Sequence, residues 1–274
     1  MGVCKEGGTC TEEQQLHYVS YFKRAHWMTQ LMKELCTLVY NLEVEVIIYA
    51  LPPSSPAQEQ LDLLVSTLSS FSAANDNPAT SPHLKATTPD KIDGLVQLLA
   101  RPEIHKDAER CALVLKALKI LSRRQDNRQR CGGHTFQTLM PFCSVKLLPA
   151  IASEAANAAL NLAYEPQNVA HLVRCKGELA LLQLLASGQE EVLANAAGAV
   201  QTVCYQKEGR EAVKRGGGVA VLLKLLQREE LDAKVQQRAV GALHNLSSEA
   251  DAIKLVRLPM TEVWRKKPAI VPVE

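Results

Sequence analysis

Aromatic side chains make up only 4% of this 274-residue chain. A core with so few rings has to be filled by aliphatic side chains, and the plentiful Ala and Leu favour helices over sheets. An excess of one charge is also missing, since 31 Lys and Arg stand against 29 Asp and Glu, for a net +2. Without a basic field, no nucleic-acid partner is expected. No apolar run approaches the roughly 20 residues of a membrane span. The first residues, MGVCKEGGTCTEEQQ, lack the apolar core of a secretory signal. The eight cysteines form no C-x-x-C pair, and Cys111, Cys131, Cys175 and Cys204 fall inside or beside apolar helical faces. They read as reduced thiols acting as small hydrophobes. The expected setting is intracellular and cytoplasmic, with the nucleus or a membrane surface left open.

The signatures of catalysis are absent as well. Seven histidines are scattered, with no H-E-x-x-H and no ligand pair at metal spacing. There is no G-x-S-x-G, and Gly216-Gly217-Gly218 is not followed by the Lys-Ser or Lys-Thr of a phosphate loop. Asn245-Leu246-Ser247 matches a glycosylation acceptor but lies in a predicted helix. Cys204 as a nucleophile would need a neighbouring base that the sequence does not display. The expectation is a non-enzyme without metal or cofactor.

What the chain does contain is a repeat. RAVGALHNLSSEADAIKLVR, at 238–257, follows a near-copy, EAANAALNLAYEPQNVAHLVR, at 154–174. With Asn245 as anchor, Ala239, Ala242 and Leu243 precede it and Leu246 follows. The same offsets recur around Asn161, around Thr202 and, more weakly, around Ile120. The steps of about 41, 41 and 43 residues fall within the roughly 40 to 47 of helical solenoid repeats. Each unit also has a run that opens on glycine and closes on paired leucines, beginning at Gly94, Gly177 and Gly218. The unit predicted is a short helix, a glycine corner with the glycine in the left-handed region, a leucine-rich helix, a polar loop and an alanine-rich third helix. Large side chains at Ala155, Ala196 or Ala239 would overpack such a stack.

These motifs, A-x-x-A-L-x-N-L before a polar turn and G-x-x-x-L-L-x-L-L after it, resemble the armadillo repeat family over about residues 90–257. The two-helix HEAT repeat, which lacks the glycine corner, is the alternative. The resemblance implies an all-α, right-handed α-solenoid whose third helices line a concave groove. It also implies a non-catalytic scaffold or adaptor that holds an extended or helical segment of a protein partner, with the asparagine bonding the partner's backbone. The nuclear-import branch places Trp four residues before the asparagine, where this chain has Asn157, Gly198 and Gly241. That departure argues against recognition of lysine-rich import signals.

Helical periodicity places the groove positions at the anchor and at four and seven residues before it. They are Glu154, Asn157 and Asn161; Asn195, Gly198 and Thr202; and Arg238, Gly241 and Asn245. The amides there either pair with a ligand backbone or satisfy carbonyls of neighbouring loops. Arg123, Arg124, Arg128 and Arg130 form a basic edge that either docks an acidic peptide or phosphate or is a solvated turn. Lys207, Arg210, Lys214 and Arg215 occupy the corresponding turn two units on. Gly2 and Cys4 suggest a dually acylated, membrane-bound adaptor as a second reading, although Glu6 departs from the acylation pattern.

The expected organisation is a flexible 1–11, a helical N-terminal region or degenerate cap repeat at 12–72, and a mobile linker at 73–90. About four repeats follow at 91–257, then an irregular tail at 258–274 that covers the last helix or marks a shortened array. VEVIIYALPP, at 44–53, reads as helix closing at its prolines.

Overall fold

The structure is a computed structural model that describes residues 58–85 and 92–248, all within one unit spanning Val44–Glu274. Expectations for 1–57, 86–91 and 249–274 lie outside these residues. Among the described residues every regular element is helical. In chain order they are α1 (Gln58–Asn75), α2 (Pro82–Lys85), α3 (Ile92–Leu99), α4 (Pro102–His105) and α5 (Ala108–Leu121). Next come α6 (Gln125–Gln129), α7 (Gly133–Leu139) with a 3-10 turn at Met140–Phe142, and α8 (Pro149–Leu162). Two complete units follow: α9 (Pro166–Arg174), α10 (Gly177–Leu184) and α11 (Glu190–Val203), then α12 (Lys207–Arg215), α13 (Gly218–Leu226) and α14 (Ala233–Leu246).

The third helices form the spine. α1 packs on α5, α5 on α8, α8 on α11 and α11 on α14. They run side by side because small residues recur where the helices meet. Ala155, Ala158, Ala159, Ala196, Ala199, Ala239 and Ala242 are wholly buried. Their own burial yields little, but they let longer side chains pack between helices. Leu115, Leu118, Leu162 and Leu243 lie in that core, each worth about 1.5–3 kcal/mol when removed from water. Several helices also start on a recognisable signal. Asp107 and Asp232 accept hydrogen bonds from backbone amides of the first turns of α5 and α14, and Pro149 and Pro166 open α8 and α9.

Two expectations are corrected. The linker placed at 73–90 is structured over 73–85, and α1, expected to end near 72, runs on to Asn75. The Asn75 side chain donates to the Phe71 carbonyl (2.9 Å) and accepts from the Ser81 hydroxyl (2.8 Å) and the His83 amide (2.9 Å). That closes a turn into α2, so α1 serves as the third helix of a unit preceding the ones counted from the sequence.

The glycine corners are the second correction. The left-handed residues are Lys176 and Gly217, each one position before the glycine expected there. Gly177 and Gly218 instead open α10 and α13, and Gly94 lies inside α3. Gly177 and Gly218 are there for close approach. A Cβ at Gly218 would sit 2.4 Å from Val213 Cγ1, and one at Gly177 would sit 2.6 Å from Met140 Sδ.

Candidate functional site

One face of the third-helix ladder carries most of the predicted groove residues, and most of their polar ends are already engaged with a neighbouring unit. Asn161 Nδ2 donates to the Lys119 carbonyl and the Ser122 hydroxyl, both at 3.1 Å. Asn245 Nδ2 donates to the Gln201 carbonyl (3.2 Å), and Arg238 Nη1 donates to the Ala194 carbonyl. Every one of these acceptors belongs to the preceding unit. Asn195 is occupied at both ends, donating to Ser153 Oγ (2.9 Å) and accepting from Asn157 Nδ2 (3.1 Å). The amides therefore strap adjacent third helices together. Their acceptors are third-helix carbonyls and hydroxyls and one amide oxygen, so it is helices, and not neighbouring loops, that they satisfy.

That geometry divides the candidates. Asn195 and Thr202 are buried, and the Thr202 hydroxyl is turned onto the Gly198 carbonyl of its own helix (2.9 Å). Neither is presented to a ligand, which corrects the expectation that both line the groove. Glu154, Asn157, Asn161, Arg238 and Asn245 remain half-buried on the face. Because Asn161 and Asn245 donate to the preceding unit, their nitrogen ends are committed inward. Their Oδ1 atoms accept no hydrogen bond among the described residues. The face therefore offers a partner two amide acceptors, two units apart.

Where the nuclear-import branch has Trp, the floor is filled from the neighbours. A Cβ on Gly198 would meet Leu160 Cδ1 at 2.6 Å and the Arg238 guanidinium at 3.0 Å. A Cβ on Gly241 would meet the Gln201 amide at 2.3 Å. At the first seam, ions do this work. Lys119 Nζ lies 2.8 Å from Glu154 and 3.5 Å from Asp76, and Lys116 Nζ lies 2.9 Å from Asp76. The hydrogen bond from Lys116 holds the Asp76 carboxyl below its ordinary value.

The basic edge is largely built into the fold. Arg123 Nη1 donates to the Asn75 carbonyl (2.7 Å), and Arg124 pairs with Asp126 (2.9 Å). Arg128 pairs with Glu165 (3.0 Å), donates to the Arg123 carbonyl (2.8 Å) and lies 5.7 Å from the centre of the Tyr164 ring. Arg130 is exposed. In the turn two units on, Arg210 donates to the Tyr205 carbonyl (3.0 Å) as Arg128 does to that of Arg123. The repeated guanidinium satisfies carbonyls at the end of the third helix and is no open anion site.

Cys204 is wholly buried, and burial pushes its thiol up to about 12. An activated nucleophile needs the opposite shift. No cluster of potential metal ligands occurs among the described residues, and no described helix is long and apolar enough to cross a membrane. Gly2 and Cys4 lie outside the described residues.

Two residues that matter were not singled out from the sequence. Asn127 and Asn168 are fully buried, and each donates its Nδ2 to the last leucine carbonyl of the third helix before it, Leu121 (2.9 Å) and Leu162 (3.0 Å). Asn168 also reaches the Arg128 carbonyl of the previous unit (2.8 Å). Their separation equals the repeat period, a signal the sequence did contain. Gly209 takes the corresponding place in α12, where a Cβ would stand 2.1 Å from the Val203 carbonyl oxygen.

Comparison with known proteins supports the same architecture. The profile of the Armadillo/beta-catenin-like repeat matches residues 206–248, the turn after α11 through α14. Among curated protein sequences nothing matches. Among solved structures, an engineered protein is 24% identical with a TM-score of 0.67, over 81% of this chain and 87% of its own. A designed armadillo repeat protein shares 20% identity at a TM-score of 0.68, covering 85% and 94%. Another designed armadillo repeat protein, in complex with the peptide (KR)4, shares 19% at 0.66, covering 82% and 91%. At these identities the structural likeness concerns the fold.

Proposed function

Because the chain is a solenoid of armadillo-like repeats, we propose that it is a non-catalytic scaffold that binds a segment of a protein partner across the face of its third helices. The observation that carries this reading is the pair of amide oxygens on Asn161 and Asn245, two units apart and unoccupied among the described residues, held in place by the straps to Lys119, Ser122 and Gln201. An extended chain presents backbone N–H groups at regular intervals and can donate to such a pair. A designed armadillo repeat protein holds a peptide on the same fold, which supports the reading by analogy. An intracellular setting belongs to the proposal and rests on the free thiols of Cys111, Cys131, Cys143, Cys175 and Cys204.

The test is selection of random short peptides on the full chain, followed by affinity measurement for a selected peptide. Asn161→Ala with Asn245→Ala is expected to weaken binding by about tenfold or more, the equivalent of about 1.4 kcal/mol, while circular dichroism shows a folded helical protein. Lys207→Ala, on the exposed start of α12, should bind as the parent does. Equal affinity in the double variant would remove the groove assignment.

A further inference from the structure

Among the described residues, Lys116, Lys119, Arg123 and Arg238 stand on or beside the face of the third helices, and the first three have their counter-charge within the chain. Lys116, Lys119 and Arg123 all gather around Asp76, and Lys119 also has Glu154. Arg238 is different. Its guanidinium is half-buried over Gly198 beside Leu160, and Nη1 is bound to the Ala194 carbonyl. No carboxylate of the described residues lies within ion-pairing distance of it. Burial works against its charged form. A half-buried guanidinium with one protein hydrogen bond leaves its other N–H donors to water or to an incoming anion.

We propose that Arg238 is the subsite for a carboxylate side chain of the partner segment, so the scaffold selects an acidic peptide, with Asp or Glu seated beside Leu160. This rests on the groove reading above and narrows it to a partner chemistry. The fork of a guanidinium matches a carboxylate in two parallel hydrogen bonds. One fixed cation also balances one negative charge, whereas a phosphate near −2 would be undercompensated, because Arg128, the arginine beside Tyr164, is already paired with Glu165. Tyr164 and Tyr205 occupy equivalent positions in successive units and are about half exposed, at 52% and 50%. They supply flat amphipathic surface along the path of a bound chain. Binding would bring Arg238 the partner it lacks while its bond to Ala194 keeps it in place.

The experiment uses the full chain and peptides selected from a random library, with affinities read by fluorescence anisotropy. Selected peptides should share an Asp or Glu at one fixed position. Changing that acid to its amide should weaken binding by about tenfold to a hundredfold, and Arg238→Gln should weaken the acidic peptide by a similar factor. The amide peptide should bind the parent and Arg238→Gln alike, and Arg238→Lys should restore only part of the loss. The change made on the peptide leaves the protein untouched, so it decides the matter even if the Arg238 variants fold poorly. Selected peptides with no common acid, or an acid whose removal changes nothing, would overturn the subsite but leave the groove reading intact. A phosphoserine at that position binding tenfold tighter than the acid would overturn the choice of carboxylate. If no peptide is selected at all, the groove reading fails and this inference fails with it.

Discussion

Between α5 and α8 the residue before the anchor position is Lys119, and it reaches across the seam to Glu154; between α11 and α14 its counterpart is Gln201, which lies over Gly241. The seam between α8 and α11 is a third version, with Leu160 over Gly198. One structural task, closing the floor between neighbouring third helices, is thus done by an ion pair, an aliphatic side chain or an amide. The residue on one helix and the space opposite it on the next form a matched pair. A glycine four residues before an anchor is therefore no vacancy for a ligand side chain, because the preceding unit has filled it. Units of this kind can vary in chemistry and still stack, provided each pair is changed together.

The small-residue seam should be the easiest to break. Ala196 is wholly buried in α11, which packs against both α8 and α14. Ala196→Leu adds three carbons with neighbours on both sides, and the expected loss is about 3 kcal/mol, near the upper end for overpacking. Urea titration followed by circular dichroism would measure it. A loss below about 0.5 kcal/mol, the scale of an ordinary surface substitution, would mean that the third helices are not held at the spacing described.

The charged seam should yield less. Glu154→Gln leaves Lys119, itself nearly buried, with Asp76 as its one carboxylate among the described residues. Losing one carboxylate of an ion pair in such a place, with Asp76 remaining, is expected to cost about 2 kcal/mol, below the roughly 3–5 of a fully buried pair. The pair as a whole is worth less than either half alone. Lys119→Met with Glu154→Leu removes both charges and their desolvation cost together, and it should recover most of the stability lost by the single change. Additive losses in the double variant would show that the two side chains do not act as a pair, and the contrast between the seams would disappear.

The spine of the fold was legible because it depends on side-chain size, which recurs at a fixed period whatever the neighbours do. Alanines at 155, 196 and 239 announce close packing wherever they fall. The turn through Asn75 and Ser81 was not legible. It is made by a few specific hydrogen bonds within a polar, proline-containing stretch, and such a stretch reads as linker by composition. The glycine corners were placed one residue late, since a glycine needed for close approach and one needed for a left-handed turn look alike in a sequence. Gly217 serves the second purpose and Gly218 the first. Positions on the groove face were legible from helical geometry, but not what their amides do. An asparagine has donors and acceptors in equal number, and only the distance to the preceding helix decides that its nitrogen turns inward. Arg238 shows the same limit: its place on the face follows from periodicity, whereas its lack of a counter-charge depends on what the preceding unit presents.

The smallest expected effect tests the pairing rule most finely. At Gly241 the obstacle to a Cβ is the far end of the Gln201 side chain, which can swing aside, whereas at Gly209 it is the backbone carbonyl of Val203, which cannot. Gly241→Ala should gain about 1 kcal/mol of helix propensity in α14 and lose a comparable amount where Gln201 is displaced. The net change in stability should stay within about 0.5 kcal/mol, the range of an ordinary surface substitution. In Gln201→Ala the displaced group is gone, so adding Gly241→Ala to that background should be stabilising by most of the propensity term. If alanine at 241 is equally neutral in both backgrounds, Gln201 does not fill the floor, and the seam between α11 and α14 is held by the buried alanines and the Asn245 and Arg238 straps.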